Sequence, residues 1–115
     1  MNQTQLKEIA QIMATASGAN KIILFGSRAR GDFDASSDWD FLLVINDSDW
    51  QWNGNLLAKL KPAGLAKQAA RKAGFCFPMD ILSLPNSRFE ETDSLLGNEV
   101  KRDGIILFDR TNSYG

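Results

Sequence analysis

Histidine is absent from the 115 residues, and cysteine occurs once, at Cys76. Without imidazole there is no Ser-His or Cys-His nucleophile pair and no histidine proton relay. The same scarcity excludes the usual zinc sites. Any bound metal must be held by oxygen, which favours magnesium or manganese. A lone cysteine cannot close an internal disulfide, and Cys76, inside an apolar run, is expected to be a small buried hydrophobe. The apolar runs fall well short of the ~20 residues that span a bilayer. No signal-peptide pattern opens at Met1-Asn2-Gln3-Thr4. The cytoplasm is therefore the expected compartment, with no membrane partner. Thirteen basic against fourteen acidic residues give a net charge of −1. No basic footprint marks the chain as a nucleic-acid binder, and the Lys67, Arg71, Lys72 cluster reads as a solvated face.

What is present is ordinary for a globular protein: 43% hydrophobic and 23% charged residues. The length suits one core, so residues 1–115 are read as a single domain. Leu6, Ile9, Ile12 and Met13 recur at helical spacing and predict a helix over residues 3–16, with Gly18 as its C′ residue. Lys21 to Phe25 reads as a strand, Ser27 to Arg30 as a short helix, and Gly31 to Ser37 as a polar loop. Trp39 to Ile45 is a second strand, apolar enough for burial on both faces. After a turn-rich stretch with Trp50 and Trp52, a helix is expected over residues 56–72, weakened by Pro62 and Gly64. Phe75 to Leu84 predicts a third strand, placed at an edge or bulge by Pro78. A helix over residues 88–101, capped near Asn86 and Ser87, and a strand at 105–108 complete an α/β (α+β) chain.

One stretch carries chemistry. Residues 26–40 read GSRARGDFDASSDWD. Glycine at 26 lets backbone approach a phosphate, and Ser27 adds a hydroxyl and an amide at a helix start. The plainer reading is a routine strand-to-helix turn with a serine cap. Gly26 to Gly31 match the glycine spacing of a Walker A loop, but Asp32-Phe33 follow where Lys-Ser/Thr is required, so a P-loop is rejected. Asp38 and Asp40 stand two apart, so in extended chain both carboxylates face one side and Trp39 the other. Together they suit a divalent cation that also meets phosphate oxygens, although a solvated Asp-x-Asp at a strand mouth is common. Asp80 interrupts the apolar Met79-Asp80-Ile81-Leu82, where an unpaired carboxylate is costly. It is either an exposed edge residue or a third ligand, and the neighbouring motif favours the ligand. Arg28 and Arg30 are placed to offset phosphate charge or to lie on the surface. Asp32 and Asp34 read as loop charges.

Gly26-Ser27, ten intervening residues, Asp38-x-Asp40 and a later Asp80 resemble the DNA polymerase beta nucleotidyltransferase superfamily. The string GSRARG…SSDWDFLLV closely resembles its minimal nucleotidyltransferases, and the resemblance covers nearly the whole chain. The resemblance implies a nucleotidyltransferase fold, a small mixed β-sheet flanked by helices. It implies a magnesium- or manganese-dependent enzyme that moves a nucleoside monophosphate, with ATP the expected donor, to a hydroxyl acceptor. Gly26 and Ser27 fall on the triphosphate-binding pair, and Arg28 and Ser37 complete the expected nucleotide-binding set. Asp38 and Asp40 fall on the metal pair, and Asp80 on the third catalytic carboxylate. Trp39 stands where relatives carry an aliphatic residue and is expected to affect packing only. The chain is too short for the helical acceptor domain of larger relatives. The resemblance therefore implies a separate partner, a small helical HEPN toxin adenylylated on tyrosine by its antitoxin. Two alternatives are transfer to a small molecule such as an antibiotic and a non-catalytic antitoxin that only binds. Trp50 and Trp52 are either part of a partner surface or packing residues.

Overall fold

The computed structural model describes residues 1–50, 56–90 and 100–110. Within them the order is α1 (Gln3–Ser17), β1 (Lys21–Phe25), α2 (Ser27–Arg30), β2 (Trp39–Ile45), α3 (Leu56–Lys72), β3 (Met79–Pro85), α4 (Asn86–Glu90) and β4 (Ile105–Asp109). The strands form one four-stranded sheet in the order β3-β2-β1-β4. β1 pairs antiparallel with both β2 and β4, while β2 and β3 run parallel. A parallel pair needs a long crossover, and α3 lies within it. The result is the expected mixed α+β architecture.

Alternation divides the sheet residues between two faces. Ile22, Leu24, Phe41, Leu43, Ile45 and Met79 pack with Ile9, Ala10, Met13 and Ala14 of α1 and with Ala66 and Ala70 of α3. Alanines at i and i+4 on both helices leave room for close packing against the sheet. Ile23, Phe25, Leu42 and Val44 form a second cluster with Val100, flanked by Leu84 and Phe89. β2 thus supplies both cores, as its uninterrupted apolar run requires. The first helix is closed at both ends: Asn2 and Gln5 form a reciprocal capping box, and Gly18, the expected terminator, adopts φ 76° with its amide on the Ala14 carbonyl. α3 runs through Pro62 despite the local penalty.

Three expectations need correction or trimming. The third strand begins at Met79 rather than Phe75. Phe75 and Phe77 instead fold back as an edge-to-face pair, and Phe77 meets Trp39 with ring centres 5.9 Å apart. Cys76 lies between them and is exposed, not buried. The helix after β3 is seen at Asn86–Glu90, and residues 100–103 are helical; residues 91–99 lie outside the described segments. Trp50 is partly buried against the first core, whereas Trp52 lies outside the described residues. Among those residues, no helix is long and apolar enough to cross a membrane.

Candidate active site

The motif occupies one end of the sheet. β1 ends at Phe25, whose register partner on β2 is Asp40. Asp40 in turn pairs with Asp80 on parallel β3. In-register residues of neighbouring strands project to one face, so these two carboxylates share the face opposite α1 and α3. Asp80 is exposed. The desolvation cost expected for it therefore does not arise, because β3 is an edge strand and its leading end meets solvent. Asp38 immediately precedes β2 and is also exposed.

Gly26 makes this arrangement possible. Its backbone, at φ 78° and ψ −160°, lies in a region that essentially only glycine enters. A Cβ there would overlap Asp40 Oδ2 and lie 3.2 Å from Asp40 Cγ. The strand end therefore lies directly against the Asp40 carboxylate. α2 follows at once: the amides of Ala29 and Arg30 both bond to the Gly26 carbonyl at 3.1 Å, and the Gly31 amide closes the turn on Ser27. The leading amides of such a turn have no acceptor within it, and here they belong to Ser27 and Arg28.

The loop from Gly31 to Asp38 is internally tied. Asp34 Oδ1 accepts from the Ser36 hydroxyl at 2.6 Å and the Ser36 amide at 2.8 Å. The Asp34 amide donates to Ser37 Oγ, and the Ser37 amide donates to the Asp34 carbonyl, both at 3.1 Å. The Ser36 hydroxyl and then its amide hold the Asp34 carboxyl below the ordinary aspartate value. Arg28 reaches into the loop, and its Nε and Nη2 donate to the Ser37 carbonyl at 3.3 and 3.0 Å. Its guanidinium carbon lies 4.5 Å from the ring centres of both Phe33 and Trp39. Arg30 pairs with Asp32 at 3.2 Å.

The structure therefore brings Gly26, Asp40 and Asp80 together, with Ser27 at the start of α2 and Asp38 at the mouth of β2. Ser37 has its hydroxyl engaged with Asp34 and its carbonyl with Arg28. Asp34 reads in sequence only as a loop charge and Phe33 carries no signal, so their contacts emerge from the folded loop. An Asp-x-Ser spacing, typical of an Asx turn, was the available signal for Asp34. The site's donors are carboxylate and hydroxyl oxygens, which fit a hard cation such as magnesium. Among the described residues, no three acidic or thiol side chains converge as a ready metal cluster. Asp40 and Asp80 are the adjacent pair from which such a site would be assembled.

Residues 7–113 match the family model for polymerase beta nucleotidyltransferases. The chain is 28% identical over 90 residues to the protein adenylyltransferase MntA of Aphanizomenon flos-aquae (strain 2012/KM1/D3). That match covers 76% of this chain and 55% of the relative, so the chain spans about half the length of the curated protein it matches. Among solved structures, a candidate nucleotidyltransferase from Sulfolobus solfataricus superposes with TM-score 0.60 at 17% identity, covering 96% of this chain and 86% of that one. A toxin-antitoxin with AMP-PNP gives TM-score 0.57 at 18% identity, covering 95% and 74%. A mutant of the toxin-antitoxin MntA-HpeT gives 0.56 at 17%, with the same coverages. At such identities these structures establish the fold. Together with the family match over almost its full length, they place the chain in the polymerase beta nucleotidyltransferase family.

Proposed function

We propose that the protein is a magnesium-dependent adenylyltransferase that moves AMP from ATP to a hydroxyl on a protein partner. The partner best suited to this reading is a small helical HEPN toxin modified on tyrosine, which makes the chain an antitoxin. The observation that carries the chemistry is the meeting of Gly26, Asp40 and Asp80 at one sheet end. The likeness to an adenylyltransferase and to toxin-antitoxin proteins, one with AMP-PNP, supports the choice of donor and partner.

In this mechanism Gly26 keeps a side chain out of the space beside Asp40, and Ser27 offers its amide and hydroxyl to the triphosphate. Asp38 and Asp40 would hold magnesium, with Asp80 as the third ligand. The cation, when bound, offsets phosphate charge and favours ionisation of the acceptor hydroxyl. Asp80 accepts the proton from that hydroxyl. The acceptor oxygen forms its bond to the α-phosphorus as the bond to the bridging oxygen breaks, and pyrophosphate leaves. Asp80 then releases its proton to solvent, and no group of the chain is covalently modified.

The test is label transfer in lysate of the source organism, with magnesium and ATP labelled on the α-phosphate. A single labelled protein that disappears with Asp38→Asn/Asp40→Asn is the expected result. If the folded chain binds ATP and labels no protein, the reading passes to a small-molecule acceptor or a binding-only antitoxin. Full neutralisation of the toxin by the inactive variant would show that binding alone suffices.

A further inference from the structure

We infer that Arg28 is a positioning residue, which holds the loop so that Asp38 is fixed at the mouth of β2, rather than a phosphate-binding residue. This deepens the nucleotidyltransferase reading and rests on it. An arginine directly after a Gly-Ser phosphate pair invites the simpler role of countering triphosphate charge. Its surroundings point elsewhere. Both Nε and Nη2 are directed at the Ser37 carbonyl. That oxygen belongs to the peptide unit joining Ser37 to Asp38, and the unit is planar. Holding the oxygen thus fixes the plane from which Asp38 departs.

The residue after Asp38 is held as well. Trp39 has its ring 4.5 Å from the Arg28 guanidinium carbon, and its amide donates to the Pro78 carbonyl at 3.2 Å. Arg28 therefore touches both neighbours of Asp38, one through a carbonyl and one through a ring. Phe33 is 47% exposed, yet its ring lies over the same guanidinium. An exposed phenylalanine at that place is accounted for by this contact. Lysine has neither the planar face nor the fork of donors, so it cannot reproduce the contacts, although it would preserve the charge.

The decisive comparison is wild type against Arg28→Ala and Arg28→Lys. Amide hydrogen exchange is first measured on the chain alone, without nucleotide or metal. In both variants residues 34–39 should exchange about tenfold faster, the range set by losing a charge-assisted hydrogen bond, while residues 9–14 of α1 stay unchanged. Kinetics follow with magnesium and ATP. Both variants should lose about ten- to a hundredfold in kcat, as expected for a misplaced reactive group, with KM for ATP nearly constant. Unchanged exchange across residues 34–39 overturns the inference, even in an active enzyme. So does a loss confined to KM that Arg28→Lys restores, which is the signature of a direct phosphate contact. A wild-type chain that transfers nothing overturns the enzymatic reading instead, and exchange still decides whether Arg28 orders the segment.

Discussion

Replacing Gly26 with alanine should damage the site out of proportion to its effect on stability. Two costs act at this position. The backbone at φ 78° and ψ −160° is closed to side chains, at a cost of about 1–3 kcal/mol. The added Cβ also meets the Asp40 carboxylate, which must rotate or shift to make room. The first cost alone should lower Tm by about 3–6 °C per kcal/mol for a domain of this size. The second displaces a proposed metal ligand, and a shift of that kind is worth on the order of a hundredfold in rate. Gly18→Ala is the matched control. Gly18 also has positive φ, 76°, but nothing lies within 4 Å of its added Cβ, and it sits at the far end of α1. Gly18→Ala should cost about 1–2 kcal/mol and leave nucleotidyl transfer as in wild type. Thermal melts beside α-phosphate label transfer read both effects. Equal activity in the two variants, at comparable loss of Tm, would refute the link between Gly26 and Asp40.

Other expectations follow from the same geometry. Asp80→Asn should lower kcat by at least about a hundredfold while changing KM for ATP little, because removing the proposed proton acceptor affects the transition state more than binding; steady-state kinetics check the split. Because the folded Asp34 carboxyl titrates below its ordinary value, its loop bonds contribute fully above that value and are lost as pH falls through the lowered one. The Ser36 amide resonance should therefore titrate with a midpoint below the ordinary aspartate value, and a midpoint at or above it would contradict the Asp34 contacts. Exposed Cys76 should react fully with a thiol reagent in the native protein, and resistance until unfolding would restore the buried reading.

Much of the backbone that carries the candidate site is legible in the chain because its signals are local. A buried strand, a glycine, a serine and a spaced pair of aspartates specify their own backbone, and β1, α2 and β2 formed where their residues placed them. The partnership of Asp40 with Asp80 depends on which strands pair. Periodicity does not reveal that; the crossover through α3 sets it. The start of β3 at Met79 rather than Phe75 has a related cause. Phe75 and Phe77 have strand-like residue types, but their rings gain more by packing together and, through Phe77, on Trp39 than by extending a ladder. Asp80 looked costly because its flanks are apolar, whereas its place at the leading end of an edge strand gives it solvent. For Arg28 the sequence offers phosphate contact or a surface place; the contacts behind its proposed positioning role, with the Ser37 carbonyl and the Phe33 and Trp39 rings, exist only in the folded loop.

The reaction itself is tested most directly by where the label sits. Purified chain, magnesium and the acceptor protein are incubated with ATP labelled on the α- or the γ-phosphate, beside an Asp40→Asn control. Nucleotidyl transfer predicts label on the acceptor from α-labelled ATP only, labelled pyrophosphate from γ-labelled ATP, and neither product with the variant. Label reaching the acceptor from the γ-phosphate, or transfer that survives Asp40→Asn, would contradict it.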